Sequence, residues 1–132
     1  MAEEALVSGT LTDPMIAAGE SLIRYLDEVH FLVDAAFWMR SQESDLWRLI
    51  IASPEVKSAG PRKAYRRLQS YLNKAEGRDL SLASITLLDS KDRLLQLLRT
   101  AITTGPGISG IRFTGNTING VSFPDSFIYR VV

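Results

Sequence analysis

The sequence predicts an α+β protein: a single mixed sheet of about five strands packed with three helices. Three observations lead there. Apolar residues recur at helical spacing in three separate segments. Runs of alternating, β-branched and aromatic residues lie between and after them. The resulting order, α-β-β-α-β-α-β-β, mixes hairpin-like pairs with helical crossovers.

The first helix is expected over residues 14–30. Asp13 suits the N-cap and Pro14 the first helical position. Met15, Gly19, Leu22, Ile23, Leu26, Val29 and His30 share one face, and Glu20, Arg24, Asp27 and Glu28 the other. A glycine on the apolar face costs about 1 kcal/mol relative to alanine, so Gly19 points to a close approach by another backbone.

Two strands are expected at 33–40 and 46–52, joined by the polar stretch 41–45 as a hairpin with a longer loop. The second strand is apolar on both faces, which suits an interior place in the sheet and cover on both sides. The second helix is expected from Pro61 to about Ala75. Its buried stripe is Ala64, Tyr65, Leu68, Tyr71, Leu72 and Ala75, and Gly77 follows as a stop.

A strand near 83–88 and a helix near 91–103, capped by Asp89 or Ser90, come next. Helices separate the second, third and fourth strands, which favours parallel, right-handed connections. Residues 103–107 break the last helix. The segments 111–114 and 127–131 alternate as half-buried strands, with turn dipeptides at Gly115-Asn116, Asn119-Gly120 and Pro124-Asp125 between them. Residues 1–12 are expected to form a flexible lead-in, and 13–132 one domain.

The 132-residue chain is 45% hydrophobic and 23% charged, as in globular proteins. Fifteen basic residues balance fifteen acidic ones. Bulk attraction to nucleic acid or anionic membrane is therefore not expected, although a local patch could supply it. The chain has no cysteine, which excludes thiolate catalysis and cysteine-ligated zinc. Its single histidine excludes a multi-histidine metal site. The acidic start Met1-Ala2-Glu3-Glu4 does not resemble a signal peptide, and no apolar run reaches the roughly 18 residues of a membrane span. A cytoplasmic protein without metal or cofactor is the expectation.

The sharpest chemical signal is Arg62-Lys63 in the first turn of the second helix. Helix starts favour acids, because their free N–H groups and the macrodipole make that end positive. Cations there invite an anion. Lys57, Ser58, Gly60, Arg62, Lys63 and Arg66 are the candidate anion-binding set, with Arg62 and Arg66 one turn apart to grip a phosphate or carboxylate. The P-loop pattern is absent, and the plain alternative is a solvated basic face. The same face extended through Arg67, Lys74 and Arg78 is a candidate nucleic-acid footprint.

His30, with Asp27 and Asp34 nearby in sequence, could form an acid–base pair. A capping histidine near a helix C-terminus is the plainer alternative. The glycine-rich stretch 105–110 follows a helix instead of preceding one, so it suits a connector and not a phosphate loop. Trp38, Trp47, Phe127, Tyr129 and Val131 are candidate interface residues, the last three on a strand that could pair with a second copy if it lay at a sheet edge.

No nucleophile motif is visible. The leading expectation is a non-catalytic interaction or accessory module with a protein partner or itself as a homodimer. The alternatives are a phosphate-ligand or nucleic-acid binder using the helix at Pro61, and an enzyme with a nonstandard site including His30.

Overall fold

The computed structural model describes residues 10–41, 43–74 and 80–132. Ala75, Gly77 and Arg78 of the expectations above, Gln42, and all but the end of the lead-in lie outside them.

Helix α1 spans Asp13–Glu28. Its N-cap is Thr12, one residue earlier than expected. The Thr12 hydroxyl accepts from the Met15 N–H at 3.3 Å, while the Met15 sulfur receives the Thr12 N–H at 3.5 Å, a reciprocal cap. The helix also stops earlier than expected. His30 adopts φ +62°, its N–H donates to the Asp27 carbonyl, and the Phe31 N–H donates to Leu26. This is a Schellman ending with histidine where glycine is usual. It returns Phe31 to the core and leaves His30 exposed, not on the apolar face.

Strands β1 (Ala35–Arg40) and β2 (Trp47–Ser53) form the expected antiparallel pair. A short helix α2 (Glu55–Ser58), not foreseen from the sequence, leads to α3 (Pro61–Leu72). A 3₁₀ turn at Leu82–Ser84 opens β3 (Ile85–Asp89), which lies parallel to β2. Helix α4 (Arg93–Ala101) is capped by the Asp92 carboxylate and not by Asp89 or Ser90. Then come β4 (Ile111–Phe113), β5 (Asn116–Ile118), β6 (Val121–Phe123) and β7 (Ser126–Val131).

The mixed five-stranded sheet runs β3-β2-β1-β7-β4, and β5-β6 form a separate two-stranded ribbon. The third and fourth strands do not pair: β4 lies at the opposite edge from β3, because β7 takes the place beside β1. Asn119 (φ +51°) and Gly120 (φ +79°) make the left-handed turn of the ribbon.

The helices divide between the two faces. On one, Met15, Leu22, Ile23 and Leu26 of α1 and Ala64, Leu68 and Leu72 of α3 pack on Ala36, Trp38, Leu49, Ile51, Ile85 and Leu87. On the other, Leu95 and Leu98 of α4, with Ile118 and Phe123 of the ribbon, pack on Phe37, Ile50, Ala52, Ile128 and Val131. Cover of both faces explains why β2 is apolar on both sides from Leu49 to Ala52.

The register of β7 against β1 shifts between Ala36 and Phe37. Such a bulge places two residues opposite one and breaks the alternation. Tyr129 and Arg130, adjacent in sequence, therefore both serve the α1 side, and Val131 turns to the other core. Strict alternation through 127–131 does not survive.

Gly19 meets side chains, not backbone. A Cβ there would lie 2.5 Å from the Tyr129 hydroxyl and 3.0 Å from Trp38 Nε1. The Trp38 indole N–H donates to that hydroxyl at 3.0 Å, and the hydroxyl donates to the Ile16 carbonyl at 2.6 Å. Burial pushes the Tyr129 phenol above its ordinary value, because the phenolate would be desolvated.

Candidate functional site

The exposed face of α3 is built by the stripe beneath it. Ala64, Leu68 and Leu72 are buried, which turns Arg62, Lys63, Arg66, Arg67, Gln69 and Ser70 to solvent, followed by Asn73 and Lys74. Gly60 enters the helix at φ +89°, a backbone state that L side chains rarely adopt. No side chain caps this end, and no acid occupies the first turn. The cations therefore stand on an electropositive terminus without internal relief.

One of these cations is engaged. Arg67 pairs with Glu55, whose carboxylate also accepts the Leu32 N–H at 3.0 Å. The side chains of Lys57, Arg62, Lys63 and Arg66 have no hydrogen bond or ion pair among the described residues. Lys57 and Ser58 lie exposed on α2, across the Gly60 turn. No polar contact draws this set into a closed pocket: it is an open basic surface.

The other predicted residues fall elsewhere. Trp38, Tyr129 and Val131 are essentially inaccessible and Trp47 is buried, so these four are core residues and not contact surface. Phe127 is half-buried, with the Arg112 guanidinium 5.4 Å from its ring centroid. Nor is β7 an edge. It has β1 on one side, and on the other β4 followed by the strap 104–109. There the Thr104 and Ser109 amides donate to Val131 and Tyr129 carbonyls, and the Thr104 hydroxyl accepts the Val131 N–H. The glycine-rich stretch is this strap.

The edge strand β3 is also blunted. The Ile85 N–H donates to Leu82, the Leu87 N–H donates to the Tyr65 hydroxyl at 2.9 Å, and the Ile85 carbonyl accepts from Arg48 at 3.1 Å. Few free groups remain for strand addition.

His30 makes no side-chain pair with Asp27 or Asp34. Asp27 instead belongs to Arg130, whose guanidinium takes both carboxylate oxygens at 3.0 and 2.7 Å and also donates to the Val33 and Gly107 carbonyls. This clamp floors a shallow cleft of about 390 Å³ lined by Arg24, Glu28 and residues 106–108. Nothing in the sequence marked the pairing, since the partners lie 103 positions apart. Among the described residues two buried side-chain polar atoms, Trp47 Nε1 and Ser90 Oγ, have no partner.

Among the described residues no cluster of three or more histidine, cysteine or carboxylate groups is placed to hold a metal, and no helix is long and apolar enough to cross a membrane. No family model matches the chain, and no curated protein or solved structure matches it either.

Proposed function

We propose that this protein is a non-catalytic interaction module that engages an anionic partner through the exposed face of α3. One observation carries the reading: Arg62, Lys63 and Arg66 stand exposed and unpaired on a helix whose first turn has no acid. Elsewhere on the described surface, Arg24 pairs with Glu20 and Arg40 with Asp45, while Arg48 and Arg99 donate to backbone carbonyls. Lys57, Lys91 and Arg93 are scattered singly over other elements, so in a chain of zero net charge α3 carries the one run of neighbouring free cations among the described residues.

The large aromatics are committed to the core, so the surface offers charge more than apolar area to a partner. A cytoplasmic setting, where polyanions abound, fits this reading.

The test is binding of the full chain to a fluorescent heparin oligosaccharide across a salt series, alongside the triple variant Arg62→Glu, Lys63→Glu, Arg66→Glu. All three positions are exposed, so the variant keeps the fold. The expected result is affinity that falls as salt rises and is abolished in the variant. No binding by the unaltered chain at low salt overturns the reading.

A further inference from the structure

We propose that the anionic partner is duplex DNA, with α3 lying in the major groove and Gln69 and Asn73 reading base edges between the cations. The inference rests on the α3 reading above and narrows it.

Arg62, Arg66, Gln69 and Asn73 follow the spacing i, i+4, i+7, i+11, which is a single line along a helix. That line lies on the exposed side of the helix, about 130° around from the buried stripe of Ala64, Leu68 and Leu72. From Arg62 to Asn73 it rises about 16 Å, roughly five base-pair steps. Arginine, glutamine and asparagine are the side chains that pair in bidentate fashion with guanine and adenine in the major groove. Lys63 and Lys74 flank the line on one side, where phosphates would run.

The amides also support one another. Gln69 Nε2 donates to Asn73 Oδ1 at 3.4 Å, leaving the Gln69 carbonyl oxygen and the Asn73 amide nitrogen for a base.

Other anionic partners fit less well. Insertion into a lipid surface needs exposed apolar side chains, and the large exposed ones, Leu32, Val121 and Val132, lie off α3. An acidic protein interface would centre on buried aromatics, and this face offers none. Single-stranded nucleic acid needs aromatic platforms. The nearest aromatics are engaged: the Tyr65 hydroxyl holds the Leu87 N–H, and the Tyr71 ring packs edge-on against Tyr25 and Phe31. Duplex RNA closes its major groove to a helix. The acid that stands at this face, Glu55 of α2, is already neutralised by Arg67.

The experiment is fluorescence anisotropy of the full chain with a pooled random-sequence DNA duplex, the matching single strand, an RNA duplex and anionic phosphatidylserine vesicles. Rounds of selection from the DNA pool follow. The expected result is DNA-duplex binding about tenfold tighter than binding to the other probes, and a selected sequence preferred over the pool. The Gln69→Ala, Asn73→Ala pair should erase that preference, a loss of about tenfold or more, while its salt slope stays as in the unaltered chain. Lys63→Ala should weaken binding to every duplex and reduce the slope by about one.

If vesicles, RNA or single strands bind as tightly, or selection yields no preferred sequence, the duplex inference is overturned while heparin binding still upholds the α3 reading. If no polyanion binds, both fall.

Discussion

Arg130 holds Asp27 with both arms of its guanidinium, and the two partners differ sharply in exposure: the arginine side chain is 5% exposed and the aspartate 43%. One cation thereby ties β7 to the last turn of α1, to the Val33 carbonyl before β1 and to the Gly107 carbonyl of the strap. The exposure difference makes the pair asymmetric to mutation. Asp27→Ala strands a buried cation and should cost about 3 kcal/mol or more. Arg130→Met leaves a carboxylate that water can reach and should cost less. Urea midpoints of the two variants give the comparison, and equal losses would contradict it.

Tyr129→Phe should cost about 1–3 kcal/mol, because it orphans the buried Trp38 N–H and removes the second bond to the Ile16 carbonyl. The same residue sets a pH dependence. Its folded pKa is raised by burial above the ordinary 10.0, so the neutral phenol is favoured in the fold. Its contribution is complete below about pH 10 and is lost as pH climbs from there through the raised folded value. Stability of the unaltered protein should therefore decline more steeply above about pH 10 than that of Tyr129→Phe, read by urea unfolding at neutral and alkaline pH.

Gly19→Ala should destabilise, although alanine is the better helix former by about 1 kcal/mol. The added methyl meets the Tyr129 hydroxyl at 2.5 Å in a packed interior, and overpacking costs about 1–3 kcal/mol. In a Tyr129→Phe background the methyl has more room, so the penalty should shrink. A double-mutant cycle measures that coupling, and additive losses would count against the contact.

Tyr65→Phe should free the Leu87 amide on the outer edge of β3. Hydrogen exchange at Leu87 should quicken while that of central β1 is unchanged, and light scattering at high concentration should rise as the edge becomes available for pairing. Unaltered exchange at Leu87 would show that the hydroxyl does not guard the edge.

Much of the fold was legible because periodicity reports burial. The three long helices, the β1–β2 hairpin, the interior place of β2 and its parallel pairing with β3 all follow from local pattern and crossover logic. The register of β7 was not legible. One bulge moves Val131 to the opposite core and aims Arg130 at Asp27, and no alternation rule encodes a bulge. The end of α1 was misjudged because His30 occupies a left-handed position that composition assigns to glycine. The ribbon β5–β6 was reduced to its turn signal Asn119-Gly120, since its strands are three residues each.

At the candidate site, the basic face of α3 was legible from charge and spacing. The aromatic candidates were not separable from core, because exposure depends on which helix covers which strand.

The position of β1 bears on how the chain is made. It sits between β2 and β7, and its Trp38 is bonded to Tyr129, 91 positions later. During synthesis the central strand and its hairpin partner emerge early, yet one flank stays open until residues 126–131 have left the ribosome. Until then the nascent chain carries an inner strand with one flank unpaired, and closing the sheet around it is a long-range event.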